Sequence, residues 1–298
     1  MNFQPKPDGF AAMMSVFIAM IGAAFAWSVS IQNHATASSP DADVLSIGGS
    51  VTEIIYALDQ QHRLVGRDTT STWPPEAQEL PDVGYMRALS PEGVLSVDPK
   101  LIISEDGAGP PEAMDVLKAA SVEMVTVPDS YDAEGILEKI RIVGDALDVE
   151  DRAAALIAEV DAALQAAQSV AMQNGGTNKR VMFVLSTEGG RIMASGTGTA
   201  ADGVIAMAGG QNAITEFEGY KQVSDEAVAA AAPDVILMMD RGGNHGAATE
   251  DLLAMPAISV TPAAEAKAVV RMNGLLLLGF GPRTAEAVRK LSAALRES

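Results

Sequence analysis

Short apolar runs bounded by Gly, Pro and Asp alternate with stretches of helical spacing from Asp43 to Val127. Val44-Leu45-Ser46-Ile47, Leu64-Val65-Gly66, Leu101-Ile102-Ile103 and Val122 to Val127 read as buried strands. Between them, Thr52 to Leu58 has helical spacing, and Trp73-Pro74-Pro75-Glu76 and Pro110-Pro111-Glu112 open further helices. Ser90-Pro91-Glu92 carries three start signals together: a Ser cap, a Pro at the first helical position and an acid in the first turn. Strands alternating with helices predict an α/β fold with a parallel sheet covered by helices. Ligands of such sheets bind outside the C-terminal strand ends. The loops expected there are Ser46–Ser50, Arg67–Thr70 and Tyr85–Arg87. Gly48-Gly49-Ser50 lacks the later Gly and Lys of nucleotide loops, so it reads as a pocket edge.

The pattern changes from Ala133 to about Gln173. No Pro occurs, and Ile136, Ile140, Val143, Leu147, Leu156, Val160 and Leu164 keep helical spacing. This predicts a long helix with a break near Asp148-Val149-Glu150, stiffer than a Gly/Ser linker. The second half restarts with the strand Arg180–Leu185. Helices follow over Thr199–Ala208, Ser224–Ala231, Thr249–Leu253 and Pro282–Leu295, with a strand over Asp234–Met239. An ungapped internal repeat links the halves: Ser90 matches Ser224, Glu92 matches Glu226, Val94 matches Val228, Pro99 matches Pro233 and Ile102 matches Ile236. Two related lobes are therefore expected, residues 38–132 and 175–298, joined by the helix at residues 133–174.

Composition narrows the function. A net charge of −19 over 298 residues excludes a nucleic-acid binder, which needs a basic face. Phe10 to Val29 is an uncharged apolar run behind Lys6, and Ala35-Thr36-Ala37 fits a small-x-small cleavage pattern. Residues 1–37 are thus expected to be an export signal cleaved near Ala37, although a run of this length could also be a retained anchor. The chain contains no Cys, which removes disulfides, thiolate metal sites and a lipid-modified N-terminal Cys. A bacterial periplasm is the expected address. Enzyme signals are weak: there is no His pair at metal-ligand spacing, no phosphate loop and no nucleophile elbow.

Four segments carry a family likeness: Val44–Leu58, Leu64–Ser71, Leu80–Glu92 and Gly196–Asp202. With them, residues 43–298 resemble the periplasmic haem-binding proteins of bacterial ABC importers, part of a wider group for haem, cobalamin and siderophores. The Gly84-Tyr85-Met86-Arg87 loop is the most specific element and points to haem. The resemblance implies the class III binding-protein fold, with a ligand cleft between the lobes and little domain closure. It implies Tyr85 as axial ligand of ferric haem iron, and Arg87 and Arg241 as contacts to the ligating oxygen or the propionates. A phenolate is a hard anionic donor suited to ferric iron, and a neighbouring guanidinium favours the phenolate. Some relatives carry a His in the second lobe. The loop Leu185 to Gly190 has none, and the chain's histidines are His34, His62 and His245. Met86, Met239 and Met272 could line a porphyrin face or serve only as packing.

Glu92 and Glu226, one in each copy of the repeat, are expected to dock the lobes onto the two halves of an inner-membrane ABC permease with its ATPase, although helix capping alone would also explain them. The resemblance further implies a monomer and an indirect link to an outer-membrane haem receptor system. Two alternatives remain. One is a corrinoid or ferric-siderophore carrier of the same fold. The other is a secreted haem-dependent enzyme, which a peroxidase assay on the haem-loaded protein separates from a carrier.

Overall fold

The computed structural model describes Met1 and residues 41–173, 176–240 and 248–298. The first lobe is built on β1 (Val44–Ile47), β2 (Leu64–Arg67), β3 (Leu101–Glu105) and β4 (Glu123–Val127). They pair in the order β2-β1-β3-β4, all parallel, with Val44 opposite Leu101 and Leu101 opposite Glu123. Helices α1 (Gly49–Ala57), α2 (Pro91–Leu95) and α3 (Pro111–Ala119) make the crossovers. The helix expected after Trp73 is a single tight 3-10 turn over Pro75–Glu79.

The link is α4 (Ala133–Ala146) followed by α5 (Glu150–Ala171), interrupted where the sequence suggested. Asp148 there takes a left-handed φ of 56°. Asp132 caps α4 by accepting from the Gly135 N–H at 2.7 Å. The two helices pack closely at Gly144, where a Cβ would lie 2.3 Å from that of Ala153.

The second lobe contains β5 (Arg180–Ser186), β6 (Ile192–Ser195), β7 (Gln211–Asn212), β8 (Tyr220–Val223), β9 (Val235–Asp240) and β10 (Val269–Asn273). The sheet order is β10-β9-β5-β6-β8, with β7 also on β5. Strands β10, β9 and β5 run parallel, but β6 and β8 are antiparallel additions that the sequence pattern did not reveal. Around the sheet lie α6 (Ala200–Met207), α7 (Asp225–Ala231), α8 (Thr249–Leu253), α9 (Pro256–Ser259), α10 (Pro262–Ala266), α11 (Gly274–Leu278) and α12 (Thr284–Glu297).

One aliphatic core runs from Val44 and Ile54 in the first lobe, through Ile136, Ile140 and Leu164 of the link, to Val181, Phe183 and Leu291 in the second. The lobes also meet directly. A Cβ at Gly49 would fall 2.3 Å from Leu275 Cδ1, and one at Gly203 would fall 2.2 Å from the carbonyl oxygen of Tyr131. The C-terminal edge of the first sheet is thereby pressed against α6, α11 and the turn before α12.

Candidate functional site

Polar residues at or just beyond the strand ends organise this edge of the first sheet. After β2, the carboxylate of buried Asp68 accepts four hydrogen bonds: Oδ1 from Gly48 N–H at 3.0 Å and Ser71 Oγ at 2.8 Å, and Oδ2 from Thr70 N–H at 2.9 Å and Thr70 Oγ1 at 2.7 Å. One acid thus fixes the loops behind β1 and β2. Arg67, also buried, pairs with Asp82 at 3.0 Å. Asp82 in turn accepts from the Gly84 N–H at 2.9 Å, and Gly84 O accepts from Thr69 N–H at 2.9 Å. Gly84 adopts φ 105°, a conformation suited to glycine, and delivers the chain into the loop.

The loop Tyr85–Ala88 closes with an Ala88 N–H to Tyr85 O bond of 2.7 Å, and Met86 O accepts from Gly109 N–H at 2.8 Å. Met86 drives its side chain into the first-lobe core beside Leu45, Val83 and Leu89. Tyr85 and Arg87, on either side of it, point out; Tyr85 is 47% exposed. Met86 is therefore the anchor of the loop and does not face a ligand. Met272 is likewise buried, and Met239 packs on the shared core and against Gly274. Among the described residues, neither Tyr85 nor Arg87 makes a side-chain hydrogen bond or ion pair.

Behind β3 and β4 sits a buried charge cluster that sequence reading missed. Lys139 of α4, with 1% of its side chain exposed, reaches Asp129 at 3.1 Å and Glu105 at 3.7 Å. Glu105 also accepts from Ser50 Oγ at the start of α1. Burial pushes the Glu105 carboxyl above the usual range, against the pull of Lys139 and Ser50. The signal existed: Lys139 falls three residues after Ile136 and four before Val143, on the apolar face of the helix. A second pair crosses between lobes, where Arg283 grips Glu53 and stacks 4.3 Å from the centre of the Trp73 ring. Burial raises the Glu53 carboxyl, and Arg283 opposes that rise.

Two further tyrosines, Tyr131 and Tyr220, are half-buried. Tyr131 donates to Asp129 at 2.7 Å and packs edge-on against Phe280, ring centres 5.4 Å apart. Tyr220 opens β8 with its ring edge-on to Phe183 at 6.3 Å. Burial raises both phenols above their ordinary range, and the Arg87 charge pulls both back.

Arg241 and His245 lie outside the described residues, as does His34. His62 is exposed in the turn Gln61–Arg63. Glu92 and Glu226 are exposed in the first turns of α2 and α7, and the backbone N–H of Glu226 and the Ser224 side chain hold the Glu226 carboxyl below the usual range. Among the described residues, no cluster of His, Asp and Glu could hold a metal ion by itself, and no helix is long and apolar enough to cross a membrane.

A family model described as periplasmic binding protein matches residues 44–274. Among solved structures, the chain is 43% identical to the periplasmic heme-binding protein BhuT in complex with two hemes. It covers 85% of this chain and 98% of that one with a TM-score of 0.80. It is 36% identical to the periplasmic heme-binding protein RhuT from Roseiflexus sp. RS-1 in apo form, over 86% of this chain and 98% of that one, with a TM-score of 0.82. Among curated proteins, it is 26% identical to the uncharacterized ABC transporter substrate-binding lipoprotein YvrC of Bacillus subtilis, over 85% of this chain and 79% of the relative. It is 24% identical to a vitamin B12-binding protein of Salmonella typhi, over 67% of this chain and 73% of the relative.

Proposed function

From a chain that belongs to the periplasmic binding protein family, we propose a carrier of ferric haem that delivers it to an inner-membrane ABC importer, with Tyr85 ligating the iron. The likeness to BhuT and RhuT supports haem as the cargo. The observation that carries the ligand assignment is the Tyr85–Ala88 loop. Buried Met86 locks it, Asp82 and Gly109 tie its backbone, and Tyr85 is left exposed beside a cation without a described partner. A phenolate presented this way is a hard anionic donor suited to ferric iron. Arg241 is proposed as a second-lobe contact, residues 1–37 as the export segment, and residues 38–132, 133–174 and 175–298 as lobe, link and lobe. The permease and its ATPase are the proposed partners, met through Glu92 and Glu226.

The test is Tyr85→Phe, which keeps the ring and removes the donor oxygen. Hemin added to the wild type should give the visible bands of a tyrosinate-ligated ferric haem. The variant should lose those bands and bind at least tenfold more weakly. An unchanged spectrum and affinity would reject Tyr85. A second reading, a corrinoid carrier, is favoured by the vitamin B12-binding relative. Cobalamin that binds tightly while hemin does not would establish it.

A further inference from the structure

The residue before Tyr85 is held on both of its backbone polar groups. The Gly84 N–H donates to Asp82 Oδ1 at 2.9 Å, and the Gly84 carbonyl accepts from the Thr69 N–H at 2.9 Å. Thr69 Oγ1 donates to the same Asp82 oxygen at 3.1 Å. The other carboxylate oxygen accepts from Arg67 Nη1 at 3.0 Å. Arg67 is itself a fixed post. Buried at the end of β2, it gives Nε to the Ala77 carbonyl and Nη1 to the Asp68 carbonyl, each at 3.0 Å. The backbone on either side of Asp82 is tied to it as well: Arg67 N–H donates to Pro81 O, and Val83 N–H donates to Arg67 O, both at 2.9 Å. Unbroken contacts thus run from the first sheet, through Asp82, to the peptide that precedes Tyr85.

Gly84 needs this restraint. Glycine has more backbone freedom than any other residue, so a φ of 105° must be imposed on it. A Cβ there would meet nothing within 4 Å, so packing against Gly84 does not impose it. Tyr85 hangs on the next residue and is exposed. Its phenol oxygen lies at the far end of the side chain, so a small rotation at Gly84 becomes a larger displacement of that oxygen. Met86 anchors the loop behind Tyr85, in the first-lobe core, and Asp82 anchors it in front.

We infer that Asp82 is the positioning residue of the iron ligand: it holds the Gly84 N–H against Arg67 and so fixes the direction in which Tyr85 is presented. This rests on the haem-carrier reading, in which Tyr85 binds the iron. A donor held in advance loses less freedom on binding. Groups that orient a metal ligand typically contribute about ten- to a hundredfold in affinity. Asp82 acts through Tyr85 and touches no ligand itself, so its effect depends on the Tyr85 oxygen being present.

The experiment titrates hemin into wild type, Asp82→Ala and Asp82→Asn, and into the same three proteins carrying Tyr85→Phe. With Tyr85 present, Asp82→Ala should lose about tenfold or more in hemin affinity. At saturation it should show weakened tyrosinate bands beside a second species that lacks them. Asp82→Asn keeps the shape and one acceptor oxygen, so it should fold as wild type does and lose less. In the Tyr85→Phe background, both Asp82 substitutions should change affinity by less than about twofold, the non-additivity expected of residues that act as a unit. Equal losses with and without the Tyr85 oxygen would make Asp82 a merely structural residue and overturn the inference. So would full tyrosinate bands in Asp82→Ala, or wild-type affinity in both Asp82 variants. Wild-type protein that does not bind hemin, or Tyr85→Phe that binds it as wild type does, would instead overturn the haem or Tyr85 reading, and this inference with it.

Discussion

Lys139 shows how a single side chain can hold an edge of the fold together. Its ammonium is almost fully buried, and two carboxylates from separate strand ends, Glu105 and Asp129, balance it. Removing one partner of such a cluster strands the others in a poorly hydrated interior, which costs about 3–5 kcal/mol. Lys139→Met should thus destabilise the protein by about that amount at pH 7. The pH dependence has a definite sign. Glu105 already titrates above its unfolded value of 4.5, so its folded state holds the proton more tightly. Its contribution to stability is then present at low pH and is lost as pH rises through the raised value. Without Lys139 that value climbs further, so the deficit of the variant should shrink as pH falls from 7 towards 5 and Glu105 takes up its proton more readily. Urea unfolding at the two pH values measures this; a deficit of equal size at both would show that Glu105 is not the stranded group. Position 139 was legible as a lysine on an apolar helix face. Its partners were not, because 34 and 10 residues of chain separate it from Glu105 and Asp129, and only the sheet brings the strand ends together.

At the scale of elements, the internal repeat proved more informative than single motifs. Ser90 and Ser224 both cap short helices, accepting from Gly93 N–H at 3.0 Å and Ala227 N–H at 3.2 Å. After each helix a left-handed residue precedes a Pro, Asp98 at φ 48° and Ala232 at φ 39°. Neither is glycine, so the matched backbone would not have been found from residue type. The central parallel strands were legible because they are buried on both faces and read as unbroken apolar runs. Strand β8, Tyr220-Lys221-Gln222-Val223, was not: it lies at the sheet edge with exposed polar positions, and β7 is only two residues long. That is why Tyr220 escaped notice while Tyr85, in a recognisable loop, did not. One element contact sensitive to substitution is α6 against the segment before α4. Gly203→Ala would place a methyl 2.2 Å from the Tyr131 carbonyl oxygen, on backbone that cannot rotate away. Overpacking of this kind costs about 1–3 kcal/mol. A lower thermal midpoint is the expected outcome. A variant as stable as wild type would mean that the lobes slide apart more easily than their packing indicates.

At the scale of the molecule, the two lobes behave as one body. The aliphatic core crosses the link, Arg283 of the second lobe is clamped on Glu53 of the first, and Leu275 fills the space above Gly49. Large closure on ligand binding would have to break a buried ion pair and a continuous core together, so the groove is expected to receive its ligand largely preformed. A carrier that barely changes shape cannot announce its cargo by closing. On the proposed reading the outer surface offered to a transporter is then a fixed one, and its proposed contacts are Glu92 and Glu226, exposed in equivalent first turns, one per lobe. Local structure accounts for part of their presence, since an acid there suits the helix start. A partner with two equivalent halves would meet one acid on each lobe, and a basic residue on each half is the complement that such a pair selects. Replacing both Glu92 and Glu226 with Ala should therefore leave the hemin spectrum and affinity of the isolated protein unchanged. With the permease and ATPase reconstituted in liposomes, it should abolish haem-stimulated ATP hydrolysis and haem uptake, and each single variant should fall between. Helix capping alone predicts another outcome, a small loss of stability with full transport, and that result would remove the two acids from the docking surface.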